Sequence, residues 1–269
     1  GEPPGVIASR RTTTEAEWAE GIEAAVERIE AGELRKVVLA VALAVTLEEA
    51  VAVPDALERL RRSYPDCFRF LVQPTDQAGF FGVPPERLVR LDGREARTEA
   101  LAGTVARGDT PEEDAALADS LLSSEKLQHE QALVAEAIEE HLAPLGAVTV
   151  GEQGVRKLAN VQHLHTPIEA TLDGNSHVLD LVDALHPTPA VGGLPPETAE
   201  RVIRETETFD RGWYASPVGW FDADGDGEFA VAIRSAVAGG RRATLFAGNG
   251  IVADSDPADE WEEVRMKFE

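Results

Sequence analysis

The chain has 269 residues, 43% of them hydrophobic, and 49 acidic against 25 basic side chains give a formal charge of −24. That balance excludes nucleic acid as a partner, because a phosphate backbone would be repelled. The single cysteine, Cys67, excludes an internal disulfide and any cysteine-rich zinc site.

The predicted elements follow in chain order. Thr14 and Glu17 form a capping box before the apolar positions Trp18, Ile22, Val26 and Ile29, and Gly32 closes that helix. The run 37–45 is apolar on both alternating faces and reads as a buried strand. A helix over Asp55–Arg62, a strand over Cys67–Gln73 and a β-rich stretch over Gly79–Arg107 come next, with Asp92-Gly93 as a hairpin turn. Thr110-Pro111 opens one long helical stretch to about Leu142, which ends before Pro144 and Gly146. Strands near Val148–Val150 and over Val155–Leu172 lead to a helix at His177–Leu185, a Pro/Gly loop over His186–Pro196 and a helix at Glu197–Thr206. Strands return at Trp220-Phe221, Phe229–Ala236 and Ala243–Ala247 before a last helix capped by Asp256-Pro257. The pattern has no internal repeat and no low-complexity linker, and it is α+β: antiparallel sheets packed as a sandwich with helices on their outer faces. Nothing reads as a targeting peptide or membrane span, so a cytoplasmic protein with no membrane partner is expected. The acids are spread along the chain, lysine is scarce and arginine is preferred. The charge therefore reads as adaptation to a halophilic, high-salt cytoplasm rather than as an acidic binding groove.

Only four lysines occur: Lys36, Lys126, Lys157 and Lys267. Lys36 opens the buried strand, where its ammonium should be desolvated. Neutrality at pH 7 requires a lowering by roughly three units, about 4 kcal/mol, which burial can supply. Lys36 is a candidate general base, set against a lysine whose stem snorkels to water.

Two motifs imitate metal sites. Asp222–Gly227 copies the first half of a calcium loop, but its twelfth position is Ile233 and strands flank it, so it reads as a hairpin turn. His163 and His165 share one strand face, and without a third histidine or cysteine nearby they read as hydrogen-bonding histidines. In the last helix, Glu260, Glu263 and Lys267 lie along one stripe beside the apolar stripe Trp261, Val264 and Phe268. Alone, that stripe reads as a solvated pair worth about 0.2–0.5 kcal/mol.

Read together, ten blocks resemble, in order, the signature of the chorismate-utilising enzymes. They are Arg35–Ala40, Gly82–Leu88, Glu99–Thr104, Ser123–Glu130, Val161–Leu164, Leu185–Pro195, Asp210–Val218, Ala230–Ala236, Ala247–Val252 and Asp256–Lys267. The resemblance spans 14–267 of what reads as a single chorismate-binding domain over 1–269. Relatives carry more chain before the Thr14 helix and a longer final helix, so both ends look trimmed.

Within the family the resemblance points to isochorismate synthases. Members that add water carry lysine at position 36, whereas ammonia-using anthranilate-type enzymes carry glutamine. Aminodeoxychorismate synthases often place a nucleophilic lysine in the block where this chain has Ala102, and salicylate synthases usually have threonine at Ala190. The resemblance implies Lys36 as base and Glu86 as acid, the latter needing a raised pKa. It implies a Mg²⁺ ion on Glu130 and Glu263, with Glu260 in its water shell. Arg234 and Tyr214 would hold the enolpyruvyl carboxylate, aided by Gly248, while Gly103, Thr104, His163, Ala190 and Lys267 line the rest of the pocket.

Three positions depart from the family pattern: Leu127, Gln131 and Asn249. The first two imply a weaker outer metal shell, and the third an altered approach of the substrate carboxylate to Gly248. Leu127, Gln131 and the short termini motivate a catalytically silent chorismate-binding domain as an alternative, beside a salicylate synthase or an anthranilate-type enzyme. The expected partner is chorismate alone, on a monomer, with isochorismate destined for menaquinone or siderophore synthesis.

Overall fold

A computed structural model of the protein describes residues 3–268 apart from Gln77. In chain order the elements are β1 (Val6–Arg11), α1 (Glu15–Glu30), β2 (Lys36–Leu47), α2 (Val53–Ser63), β3 (Phe70–Thr75), β4 (Ala78–Gly82), β5 (Arg87–Asp92) and β6 (Glu95–Ala106). Next come α3 (Pro111–Ser123), α4 (Glu125–Leu142), β7 (Gly146–Val150), β8 (Gly154–Lys157), β9 (Val161–Leu172), α5 (Val178–Leu185), β10 (Gly193–Leu194) and α6 (Pro196–Thr206). The last are β11 (Pro217–Phe221), β12 (Gly227–Val231), β13 (Ser235–Gly239), β14 (Arg242–Ile251) and α7 (Pro257–Lys267).

The strands form two antiparallel sheets. The first runs β1-β2-β14-β13-β4-β3, with β10 joined to β2; the second runs β11-β12-β5-β6-β9-β7, with β8 joined to β9. Strand β2 shows why its sequence is apolar on both faces. Val37, Leu39 and Val41 face α1, α6 and α7 in one core, where Trp18 and Trp261 meet with ring centroids 6.1 Å apart. The alternate residues Lys36, Val38 and Ala40 turn the other way: Lys36 and Val38 line a cavity, and Ala40 joins the core of the second sheet. That second core packs α4 and α5 onto β5, β6 and β9 through Val134, Ile138, Leu181, Leu88 and Ile168, each buried side chain worth about 1.5–3 kcal/mol.

Two segments pass from one sheet to the other. Residues 83–86 connect β4 to β5, and residues 232–234 connect β12 to β13. They run side by side, the Val83 N–H donating to the Arg234 carbonyl at 3.1 Å and the Val231 N–H to the Glu86 carbonyl at 3.2 Å. The segment Phe229–Ala236, expected as one strand, is thus two strands in different sheets. Similarly, the helical stretch from Thr110 to Leu142 is two helices. Ser124 ends α3 in an extended conformation, and its hydroxyl accepts from the Leu127 N–H to start α4 in a new direction. Val155–Leu172 also divides, into β8 and β9 around a turn. The capping box at Thr14, the hairpin at Gly93 (φ 61°) and the cap at Asp256 stand where the sequence puts them. The calcium-like run is the β11–β12 turn, its Asp222 carboxylate accepting from the Asp224 and Asp226 N–H groups. Strand β1 carried no sequence signal; its residues are mostly exposed, so neither an apolar face nor an alternation marks them.

Candidate active site

The cavity lies where the crossing segments meet β2, β14, β6, β9, α4 and α7. It is lined by every site residue the sequence singled out: Lys36, Glu86, Gly103, Thr104, Glu130, His163, Ala190, Tyr214, Arg234, Gly248, Glu260, Glu263 and Lys267.

Lys36 is 1% exposed, and its Nζ lies 3.0 Å from Glu130 Oε1. The snorkelling alternative is thereby excluded: the amine is buried and held by a carboxylate. Gly250 on β14, opposite Val38, makes this contact possible: a Cβ there would lie 2.1 Å from Glu130 Oε1 and 2.6 Å from Lys36 Cε.

Glu86 is buried in the first crossing segment, and its pKa is raised to about 8 from 4.5. Burial is the main cause and the neighbouring Glu99 adds to it, while the Lys36 charge pulls the other way. The carboxyl therefore holds its proton at neutral pH. Glu99 is itself buried, which pushes it up, yet the hydrogen bond from His165, the Arg156 charge and the Arg87 N–H hold it below its ordinary value. It stays a carboxylate beside Glu86.

Opposite, β6 bulges at Gly103, where the register against β9 shifts and φ is +63°. The bulge turns the Gly103 carbonyl toward His163 Nδ1, at 3.1 Å, with the Thr104 hydroxyl at 3.2 Å. A carbonyl only accepts, so Nδ1 carries the proton and the buried, unpartnered Nε2 is an acceptor. Burial and the Arg234 charge lower this histidine to about 3, so the ring is neutral. His165, its neighbour on the strand, bonds Glu99 at 3.0 Å.

Arg234 sits in the second crossing with φ +50°, a strained conformation for a side-chain-bearing residue. Ala215, next to Tyr214, is also left-handed at φ +65°. The two strained residues flank the part of the pocket where guanidinium and phenol face the cavity. Tyr214 stacks on Phe246 with centroids 5.2 Å apart, and burial raises its hydroxyl to about 12, keeping it a donor.

The remaining wall pairs each acid with a lysine. Lys126 meets Glu260 at 2.7 Å, Lys267 meets Glu263 at 2.7 Å and Lys36 meets Glu130. Glu260 also accepts from Ser255 at 2.8 Å and from Asn249 at 3.0 Å, so both its oxygens are engaged. Burial works against the Lys126 charge, but its contact with Glu260 outweighs this and raises its pKa.

The departures at 131 and 249 both make buried hydrogen bonds. Gln131 points away from the cavity and ties α4 to the Ala100 carbonyl at 2.9 Å and the Thr166 hydroxyl at 3.0 Å. Asn249 bridges Glu260 and Lys267, its Nδ2 donating to Glu260 and its Oδ1 accepting from Lys267 at 2.7 Å. Leu127 lines the cavity beside Gly103. Lys126 was missed by the sequence reading, although it stands one helical turn before Glu130 on α4 and is among the chain's four lysines.

Among the described residues, no three His, Cys, Asp or Glu side chains converge as a ready-made metal ligand set. The donor chemistry nevertheless suits a hard cation: Glu130 and Glu263 each have one lysine partner, and carboxylate oxygens are what Mg²⁺ takes.

Residues 2–269 match the family model described as chorismate binding enzyme. The chain belongs to that family. A salicylate-biosynthesis isochorismate synthase of Pseudomonas aeruginosa is 45% identical over 94% of this chain and 53% of its own length. The solved structure of MenF, the menaquinone-specific isochorismate synthase of Escherichia coli, superposes over 100% of this chain and 63% of that one. Its TM-score is 0.91 and its identity 34%. Anthranilate synthase component I of Streptococcus pneumoniae gives a TM-score of 0.85 at 27% identity, over 98% of this chain and 59% of that one. The chain spans just over half the length of the curated relatives it matches. The resemblance and the α+β fold expected from the sequence are both borne out. No helix among the described residues is long and apolar enough to cross a membrane.

Proposed function

We propose that this chain converts chorismate to isochorismate with Mg²⁺, as an isochorismate synthase. The observation that carries the reading is a pair of candidate proton-transfer groups on one cavity: an amine at Lys36 on β2 and a protonated carboxyl at Glu86 on the crossing segment. Water adds at C2 of the ring and gives its proton to Lys36. The ring double bonds shift, the C4–oxygen bond breaks, and Glu86 protonates the departing hydroxyl, which leaves as water. Each transfer contributes about 10²–10⁴-fold. Lys36 takes a proton only as the free amine.

Glu130 and Glu263 would hold the metal, with Glu260 fixed by Lys126, Ser255 and Asn249 at the edge of its water shell. Mg²⁺ bound there would supply a positive charge to meet the ring carboxylate. The Arg234 fork and the Tyr214 hydroxyl donate to the enolpyruvyl carboxylate. His163 offers only an acceptor at Nε2, which suits a substrate hydroxyl rather than a carboxylate. Ala190 presents no hydroxyl beside the site, which favours release of isochorismate over further elimination.

Incubation with chorismate and Mg²⁺ in high salt, with chromatographic resolution of the products, tests the reading. Isochorismate without pyruvate is expected. Salicylate with pyruvate makes the chain a lyase, and unchanged chorismate makes it a binding domain.

A further inference from the structure

The outer edge of β2, away from β14, lacks a continuous neighbouring strand. β10 pairs with Lys36 and Val37, the Val38 N–H reaches Gly192, and β1 takes over from Leu43, with Thr12 bonding Ala42. Between them, the Val38 carbonyl and the Ala40 N–H are bonded by side chains. Arg211 Nη2 donates to the Val38 carbonyl at 2.7 Å, and the Ala40 N–H donates to Glu207 Oε1 at 2.8 Å. The two side chains are joined to each other, Arg211 Nε to Glu207 Oε2 at 2.9 Å and Nη2 to Oε1 at 2.5 Å. Arg211 Nη1 donates to the Val191 carbonyl at 2.8 Å, and its guanidinium lies 5.8 Å from the Tyr214 ring centroid.

We infer that Glu207 and Arg211 are positioning residues for the reaction. Their ion pair substitutes for a missing strand and fixes three walls of the pocket to one another: β2 with Lys36 and Val38, the turn with Ala190 and Val191, and Tyr214. The inference rests on the proposed reading of the site. Neither residue lines the cavity, so neither touches substrate. The glutamate side chain is 3% exposed and the arginine 18%, so solvent cannot replace the bonds they make. Only a planar fork serves the Glu207 carboxylate, Val38 and Val191 at once; an ammonium at the same place reaches fewer of them.

The test compares Arg211→Lys and Glu207→Gln with the unaltered protein. The readouts are chorismate affinity by calorimetry in saturating Mg²⁺, kcat and KM, and the thermal midpoint. Arg211→Lys is expected to weaken chorismate binding about tenfold and to lower kcat by ten- to a hundredfold. Mg²⁺ affinity, set by Glu130 and Glu263 on other elements, should stay within about twofold. Glu207→Gln keeps an acceptor for Ala40 and should fall between the two. A lower midpoint with unchanged affinity and kcat per folded molecule reduces the pair to a fold brace and overturns the inference. If the unaltered protein binds chorismate but makes salicylate or nothing, the proposed activity fails, and the affinity comparison still decides the role of the pair. If it binds no chorismate, both fall.

Discussion

Replacing Glu86 by Gln should move stability and activity in opposite directions. The carboxyl is held protonated to about pH 8, against 4.5 for the ordinary group. Below pH 4.5 the folded and unfolded chains both carry the proton, and the group costs nothing. As pH rises toward 8 the unfolded chain ionises while the folded one stays protonated, so native stability falls across this window and levels off above it. A difference of about 3.5 units corresponds to roughly 5 kcal/mol in total, of which roughly 3 kcal/mol is reached at pH 7. The amide of glutamine has the shape of the protonated acid and does not titrate. Urea unfolding at a series of pH values and fixed high salt should therefore show the stability of Glu86→Gln relative to the native protein growing between pH 4.5 and 8. Isochorismate formation should drop about 10²–10⁴-fold, and the alkaline limb near pH 8 should vanish from the residual rate. A pH-independent stability difference between the two proteins would refute the reasoning, because Glu86 would then ionise normally in the fold.

Lys36→Met should abolish turnover while leaving chorismate affinity within a few-fold by calorimetry. The same change removes the charge that pulls Glu86 down, so the midpoint of the stability titration should move above about 8. Gly250→Ala places a Cβ 2.1 Å from Glu130 Oε1, and the forced displacement should cost about 1–3 kcal/mol by thermal or urea unfolding and lower kcat. Chelation of divalent ions should stop turnover and readdition of Mg²⁺ restore it; Glu263→Gln should weaken Mg²⁺ binding by tenfold or more in calorimetry without substrate.

What could be read from the sequence followed from period and punctuation. The strand of Lys36 was visible because its two faces meet two different cores, which leaves a continuous apolar run. Helix starts at Thr14 and Asp256 were visible because caps are local chemistry. The breaks that build the site were not. At residues 232–234 a strand leaves one sheet for another with no proline and no glycine, since the change of direction is set by pairing with the 83–86 segment rather than by a turn residue. Ser124, which caps α4, lies inside a longer helical pattern that hid it. The candidate site residues were singled out through the family blocks; period alone would have left Glu86 as a surface glutamate and Glu263–Lys267 as a solvated pair. The carboxylate beside Lys36 was invisible because 94 residues of chain separate the two.

The lysine distribution ties composition to chemistry. Three of the four lysines, Lys36, Lys126 and Lys267, line one cavity, each against an acid, and the fourth, Lys157, bonds Asp114 in the network that docks α3. A charge of −24 spread over the surface opposes the approach of a dianion at long range, and at molar salt that field is screened within about 3 Å. Recognition must then come from groups in contact with the substrate. Counted at formal charge, with Glu86 protonated, Lys36, Lys126, Lys267 and Arg234 exceed Glu130, Glu260 and Glu263 by one positive charge. The chain has few lysines, and three of the four stand where a compact ammonium on a flexible stem pairs with an acid of the cavity. Arginine, always charged, could hold those carboxylates equally well but could not serve as the base at position 36.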